Sequence, residues 1–590
     1  MRVCVLVSGG KDSTCNMLKC VQYGHDIVAL ANLHPRVDAG DELDSFMYQS
    51  VGHELVDAYA SCMRVPMFRR AIAGSSRLTT MQYAPTDAHD EVEDLFELLR
   101  DVKRHVDIDA VACGTILSSY QRIRVENVCE RLGLLSLAYL WQREQAALLD
   151  EMLRDGIDAV MIKTACMGLN RSHIGRPLAD LRDRLHALAR QYGVHICGEG
   201  GEYESFTLDC PFFHQRIVLD ECATVVHSDD SFAPVLYLSC KRFHLDDKSP
   251  ADVKPCSRPA SAGSIADGPR AFLRRRDSAS QRFAVPSTVA DSVQSSIRRQ
   301  SQFTVMAGVH CTATAATIAE QVGAVFRHCF ERLADATVVC VTLYLCSMSD
   351  YARVNEIYNE LFDADPPARC AVALGARGMP HANALLSVDV VATTLPVATL
   401  HVQSISEWAP ACIGPYSQAK TVDQSLLLLA GQIGLDPATM TLVGAQDGDA
   451  AAQFRVADAN CAAVVALLAD CDAAAARARF QHVVVYHAAS VAAAQVRALA
   501  EATLSCPFAL VGVDALPRAA LIELQVIAYR GAFPDFRVQV SSNGDAPANA
   551  VVLSAFECGA GVIAGATVVD NISIGHDGST RVAILCIERE

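Results

Sequence analysis

The sequence predicts an α/β protein: an N-terminal domain on an open parallel sheet, followed by two smaller α+β domains. Three observations predict it. Short, unbroken apolar runs alternate with amphipathic helical stretches through the first 245 residues, as strands buried on both faces of a parallel sheet do. Polar, glycine-containing motifs stand directly after three of those runs. Beyond residue 303 a strand–helix–strand–helix–strand order occurs twice, with Pro380 and Pro517 at matching places in the two copies, the mark of tandem domains.

Taken in order, parallel strands are expected at Val3–Val7, Ile27–Leu33, Ala110–Cys113, Ala159–Ile162 and Val194–Cys197. Leu178, Leu181, Leu185 and Leu188 share one face of a helix that Gly193 ends. The first domain is expected over 1–245. Residues 246–302 are rich in Ser, Pro, Ala and Arg and hold ten Lys/Arg against six Asp, so a disordered basic linker is expected there. Within it "RRRDS" and "RRQS" put Ser278 and Ser301 two residues after an arginine pair, a pattern for phosphorylation, against a plain solvated basic linker. The α+β domains are expected over 303–395 and 396–532. Residues 533–590 hold strand-like runs without an assignment.

The chain has 590 residues, a net charge of −17 and 51% apolar residues, enough for two to four domains with their own cores. The acidic balance argues against a broad grip on nucleic acid and against a membrane surface. The 23 cysteines are scattered, with no Cys-x-x-Cys pair. They read as reduced thiols rather than a disulfide framework or a zinc site. There is no signal-peptide pattern and no apolar run near ~20 residues, so a soluble cytoplasmic protein is expected.

The chemistry concentrates in three loops. "VLVSGGKDST" runs a strand into Ser8-Gly9-Gly10-Lys11-Asp12-Ser13 and then a helix, which gathers backbone N–H groups and a helix N-terminus around one anion. Lys11 adds a mobile positive charge, and Asp12 is a candidate to hold Mg²⁺ or orient the loop. The spacing is not that of the Walker loop. "GTILSSYQRIRVENVC" offers Arg122 and Arg124 for phosphate or carboxylate, although Arg122 and Glu126 are also spaced for a helix ion pair. "GEGGEYES" crowds Glu199, Glu202 and Glu204 around a Gly-Gly turn, able to bind Mg²⁺ or a cation, or to deprotonate an amine. In an open α/β sheet such loops meet in one cleft beyond the strand ends.

The first loop resembles the SGGxDS pyrophosphate loop of the PP-loop ATP pyrophosphatases, which release AMP and PPi. Together with "ALANL", "DELDSFMYQSVGH", "DEVEDL", "LAYLW" and "GVHICGEGGEYESFTLDCP", residues 1–222 resemble the diphthine–ammonia ligases. The resemblance implies an ATP- and Mg²⁺-dependent ligase that adenylates the carboxylate of diphthine on translation elongation factor 2 and lets ammonium-derived ammonia displace AMP. It implies catalytic roles for Lys11, Asp12, Arg122, Glu199 and Glu202. Nucleotide would be held by Ser8, Gly9, Gly10, Lys11, Asp12, Ser13 and Ala31, and substrate by Tyr120, Gln121, Arg124, Tyr203 and Glu204, the tyrosines facing its quaternary ammonium. Another PP-loop reaction, such as tRNA modification, and a nucleotide-sensing scaffold are the alternatives.

The two C-terminal repeats resemble the Rid/YjgF family of the chorismate-mutase-like fold. They carry "VNEIYNELF" and "PPAR" in the first copy, and "IGPYSQA" and "GQIGLDP" in the second. That family uses an Arg, a Tyr and a Glu on enamines and imines, and its members are trimers, so an oligomer through these domains is an expectation. Here the set is divided. Arg369 lies in the first copy, where Ser387 replaces the Glu; Tyr416 and Glu523 lie in the second, where Phe508 replaces the Arg. Either one whole site forms across the copies or both are degenerate docking domains.

Overall fold

The structure is a computed structural model. It describes the chain except residues 37–46, 48–50, 82, 84, 88, 229, 231, 255–286, 301, 363–364, 532–535, 542–550, 553–570, 575–583 and 590. Ser278 and Ser301 lie outside the described residues. The chain divides into two compact units: Met1–Arg276 with Gln403–Ala411, and Asp277–Val402 with Cys412–Glu590.

The first unit runs β1 (Arg2–Leu6), α1 (Lys11–Gln22), β2 (Asp26–His34), α2 (Ala58–Met63), β3 (Met67–Ala71), α3 (Glu91–His105), β4 (Ala110–Ala112), α4 (Ser119–Leu132) and β5 (Leu135–Leu137). These strands form one sheet in the order β3-β2-β1-β4-β5, parallel throughout. Strand order reverses at β1, so a crevice opens beyond the carboxyl ends of β1 and β4. The loops that follow those two strands are the first two polar motifs. Val3, Cys4, Val5, Ala29, Leu30 and the whole of β4 are completely or almost completely buried, which is why these runs read as apolar without alternation.

The rest of the unit departs from expectation. After α5 (Gln145–Arg154) come β6 (Asp158–Thr164), α6 (Leu178–Tyr192), β7 (Tyr203–Asp209), β8 (Gln215–Ser228) and β9 (Val235–Asp247). Their strands make a second, antiparallel sheet ordered β7-β6-β9-β8, so Ala159–Ile162 is not a member of the parallel sheet. Val194–Cys197 is no strand at all. Its side chains Val194, Ile196 and Cys197 join the core around α6, but its backbone is satisfied by side chains. Ile196 N donates to Gln145 Oε1 at 2.5 Å, and Ile196 O accepts from Tyr203 Oη at 2.7 Å. An apolar run with side-chain partners looks like a strand in sequence and folds as a turn. Helix α6 does bury Leu178, Leu181, Leu185 and Leu188, each contributing about 1.5–3 kcal/mol.

The second unit contains the repeat. One sheet orders β10 (Val293–Gln300), β11 (Phe303–Cys311), β14 (Leu386–Thr393), β12 (Thr337–Leu345) and β13 (Ala368–Ala373). The other runs β15 (Val397–Leu400), β16 (Ala419–Val422), β17 (Leu426–Leu429), β21 (Ile522–Tyr529), β19 (Phe480–Ala488), β20 (Phe508–Val513) and a parallel edge strand Asn571–Ile574, with β18 (Gln432–Ile433) paired to β21. In both, an antiparallel neighbour (β14, β21) flanks a parallel pair (β12 with β13, β19 with β20). Strand β10 lies inside the stretch expected as linker. Its Ser/Arg-rich composition belongs to an edge strand paired with β11, not to disorder. The apolar helix Ala450–Ala469 is long enough to cross a membrane, yet Phe454, Cys461, Val464 and Val465 are fully buried, which marks a core helix.

Candidate active site

Loop Ser8–Ser13 is held with its carbonyls turned into the protein. Gly9 O accepts from Thr207 N at 2.8 Å, with Tyr59 Oη also 2.8 Å away. Gly10 O accepts from Ser13 Oγ at 3.0 Å. Ser8 Oγ accepts from Gly10 N at 3.2 Å, and Ser205 Oγ from Lys11 N at 3.2 Å. These bonds order the turn at the start of α1, where a helix N-terminus favours an anion. Gly9 has φ +91°, and a Cβ there would stand 2.5 Å from the Phe206 ring, so only glycine fits. Ala31 is buried in β2, and its carbonyl accepts from Val7 N at 2.9 Å. It therefore lines the strand end from which the loop departs.

Lys11 is 3% exposed and donates to Asp12 Oδ2 at 2.8 Å and to Cys197 O at 2.5 Å, over the Tyr203 ring. Burial works against its charge, but Asp12 and the neighbouring Tyr203 and Cys197 outweigh it and hold the ammonium protonated. Asp12 Oδ1 is buried without a partner among the described residues. Glu199 Oε1 accepts from Ile116 N at 2.6 Å and Leu117 N at 3.2 Å. Burial and the charge of Asp12 raise its carboxyl above the ordinary range. The second and third motifs are thus hydrogen-bonded to each other. The second also meets the first, since Gly114 lies against the Asp12–Ser13 backbone.

Glu202 Oε1 accepts from His195 N at 2.8 Å, and Oε2 is buried with no partner among the described residues. Glu204 pairs with Lys163 at 3.3 Å. Gln121 donates to Met47 O at 3.4 Å, and half-buried Tyr120 carries the Arg124 guanidinium 3.3 Å over its ring.

Three expected site residues take other work. Arg124 is fully buried and donates to Leu78 O, Thr80 O and Tyr120 O. It pins the 78–80 loop, and its Nε is buried without a partner among the described residues. Arg122 is 3% exposed, paired with Glu126 at 2.7 Å and stacked on Trp141. The helix-pair reading of that spacing is the one the structure displays. Tyr203 is 2% exposed and belongs to the core beneath Lys11, so its ring is covered.

Sequence reasoning missed several supports. Asn32 Nδ2 donates to Val7 O at 2.8 Å and is itself held by Arg69 Nε at 3.0 Å. His195 Nδ1 accepts from Cys197 N at 3.2 Å and Glu199 N at 3.4 Å, which shapes the turn carrying Glu199. Asn32 and His195 both lie inside quoted motifs, but only the fold gives them partners.

In the second unit two of the divided residues, Arg369 and Tyr416, come together, and Glu523 lies against the residue after Arg369. Arg369 on β13 is 2% exposed. Its Nη2 donates to Tyr351 Oη at 3.3 Å, its guanidinium carbon lies 5.4 Å from the Tyr416 ring centre, and its Nη1 has no partner among the described residues. The neighbouring Cys370 donates to Glu523 Oε1 at 3.2 Å. Burial pushes the Glu523 carboxyl up to about 7.

The families described as diphthamide synthase N-terminal domain and C-terminal domain match residues 1–136 and 144–236, and endoribonuclease L-PSP matches 293–394 and 406–530. The diphthine–ammonia ligase of Danio rerio is 57% identical over 251 residues, which is 42% of this chain and 98% of that protein. The diphthine–ammonia ligase of Schizosaccharomyces pombe is 39% identical over 465 residues, covering 75% of this chain and 74% of the relative. The crystal structure of the YjgF gene product of E. coli is 28% identical over 23% of this chain and 99% of that one, with a TM-score of 0.19. By its sequence relatives and its matched domains, the chain belongs to the diphthine–ammonia ligase family.

Proposed function

We propose that the protein amidates diphthine on translation elongation factor 2 to diphthamide, using ATP and ammonia and releasing AMP and PPi. Family membership supports the overall reaction, and one observation carries the residue-level reading: three sequence-distant loops, Ser8–Ser13, Gly114–Leu117 and His195–Glu202, are bonded into one cluster at the sheet's switch point. A carboxylate is a poor acyl donor until one of its oxygens becomes part of a phosphate leaving group. The backbone N–H groups at the start of α1 and the Lys11 ammonium would face the departing pyrophosphate, stabilising charge where it develops. Glu199 and Glu202, within the same bonded cluster, would receive the quaternary ammonium or the incoming ammonia.

Among the described residues no group of three or more His, Cys, Asp or Glu is arranged for a metal. A Mg²⁺ needs only one or two carboxylates beside phosphate oxygens, and the partnerless Asp12 Oδ1 fits that part. When bound, the ion supplies charge neutralisation on the phosphates. The protein would act in the cytoplasm, with the second unit as an oligomerisation element.

Product analysis tests this reading. With ATP, Mg²⁺, ammonium and unamidated elongation factor 2, AMP and PPi are expected only when the factor is present, with the mass loss of acid-to-amide conversion. AMP without a change in the factor points to another PP-loop reaction, and no AMP at all to a nucleotide sensor.

A second reading concerns Arg369, Tyr416 and Glu523. The approach of Arg369 and Tyr416 across the two copies favours a single site for a small carboxylate over two degenerate halves. Its electrostatics are testable through stability. Glu523 has an ordinary value of 4.5, pushed up to about 7 by burial, so between these values the native state holds a proton that the unfolded chain has lost. Stability of the second unit therefore falls as pH rises through that window, by on the order of 3 kcal/mol from this group. Asp389, also pushed up to about 7 by burial, acts in the same direction. Glu523→Gln is expected to shrink the difference between the melting temperatures at pH 5 and pH 8. An unchanged difference would mean that Glu523 is ionised in the fold.

A further inference from the structure

The segment Gln403–Ala411 lies 265 or more residues from the sheet it joins, and it belongs to the first unit. Ile405 forms a parallel bridge with Leu137 on β5. Its N–H donates to Ser136 O at 2.9 Å, and its carbonyl accepts from Ala138 N at 2.8 Å. Ser136 Oγ and Ser404 Oγ are 2.8 Å apart. The open edge of the parallel sheet is thereby met by a borrowed strand of a single bridge, with Ser404, Ile405, Ser406 and Ala409 at most 1% exposed.

The anchors of this strand are charged. Glu126 Oε1 accepts from Gln403 N at 3.0 Å, Ser404 N at 2.8 Å and Ser404 Oγ at 2.7 Å, while Oε2 holds Arg122 at 2.7 Å. Glu407 accepts from Tyr23 Oη at 2.7 Å, pairs with Lys19 at 3.1 Å and with Arg143, and Arg143 in turn reaches Glu151 at 2.5 Å. Tyr23 and Lys19 lie at the end of α1, the helix that begins in the Lys11 loop.

Two routes lead from this strand to one place. Through Glu126 it grips α4, whose N-terminus continues from Gly114–Leu117. Through Ala138 it grips the stretch that ends in Gln142, whose N–H donates to Ile116 O at 2.8 Å. Arg122, stacked on Trp141, ties the routes together. Both end at Ile116, whose own N–H holds Glu199.

We propose that Gln403–Ala411 is a positioning strand for the ligase: it fixes α4 and the Ala138–Gln142 stretch so that Ile116 and Leu117 present their N–H groups to Glu199. This rests on the ligase reading above for what is positioned. Glu126 and Glu407 are positioning residues, and Arg122 serves the strand rather than the reacting atoms. The nucleotide loop has its own supports in Ser205, Thr207 and Tyr59, so ATP binding does not depend on the strand.

The test replaces Ile405 by proline in the full chain, which removes the N–H to Ser136, with Ile405→Val as the conservative control. Amide hydrogen exchange is expected to quicken at Ala138, Ile116 and Leu117 but not in the second-unit helix Ile318–Leu333. Turnover is expected to fall about ten-fold or more with the KM for ATP within about two-fold, and Ile405→Val is expected to behave as the wild type. Faster exchange at Ala138 with unchanged exchange at Ile116 and unchanged turnover would overturn the positioning role. Unchanged exchange at Ala138 would overturn the strand itself. If the unaltered protein makes no AMP, the ligase reading fails, and the exchange at Ile116 and Leu117 still decides whether the strand positions that loop.

Discussion

Lys11→Met is expected to cut AMP formation about 10²–10³-fold while leaving the fold standing. The substitution keeps most of the buried stem that lies over Tyr203 and removes the ammonium that bridges Asp12 and Cys197 O. The Asp12 side chain is 30% exposed, so water can replace the lost partner. A fully buried carboxylate deprived of its cation would cost about 3–5 kcal/mol, and solvation here keeps the loss well below that. The catalytic loss is larger, because in the proposed reaction Lys11 faces the pyrophosphate as it gains charge, and one removed electrostatic stabiliser costs about 10²–10³ in turnover. Paired measurements of melting temperature and AMP production separate the effects. A variant that melts as the wild type and still makes AMP at the wild-type rate would remove Lys11 from the chemistry.

What the sequence disclosed about this site, and what it withheld, follows from the range of the interactions. Loops Ser8–Ser13 and Gly114–Leu117 were legible because each follows a buried strand, and the topology of a parallel sheet sends the carboxyl ends of neighbouring strands to one side. The tandem repeat was legible because copied elements keep their order. Val194–Cys197 misled because apolar side chains report burial and not backbone pairing; its carbonyls go to Lys11 and Tyr203. Strand β10 misled in the opposite sense, since an edge strand tolerates the Ser and Arg that elsewhere signal a linker.

Arginine was the hardest residue to read. Arg122, Arg124 and Arg369 all occur in motif-like surroundings, yet the first holds Glu126, the second holds three carbonyls and the third holds the Tyr351 hydroxyl. Only the fold gives each guanidinium its partners; composition does not. The borrowed strand Gln403–Ala411 was illegible for the same reason. "QSISEWAPA" carries no strand periodicity, and its pairing to Ser136 and Ala138 depends on an edge that exists only once the sheet is folded.

Gly114→Ala is expected to cost the ligase unit far more turnover than stability. The added Cβ would stand 2.7 Å from Asp12 C and Ser13 N and 2.9 Å from Asp12 O. These are backbone atoms of the first turn of α1, and they cannot swing aside as a side-chain end can. Relief requires the 114–117 loop to retreat from the nucleotide loop, which pulls the Ile116 and Leu117 N–H groups away from Glu199. Overpacking of this kind costs about 1–3 kcal/mol, and a shift of about 1 Å between reacting loops costs about 10²-fold in rate. Gly193→Ala is the contrasting control. Gly193 has φ +70° with nothing within 4 Å of its Cβ position, so alanine there meets only the backbone strain of about 1–2 kcal/mol at a helix end outside the bonded loop cluster. Comparable melting temperatures with a turnover deficit confined to Gly114→Ala would locate the damage in the contact between loops. Full activity in Gly114→Ala would mean that the two loops work apart, with the cleft opening between α1 and α4 during the reaction.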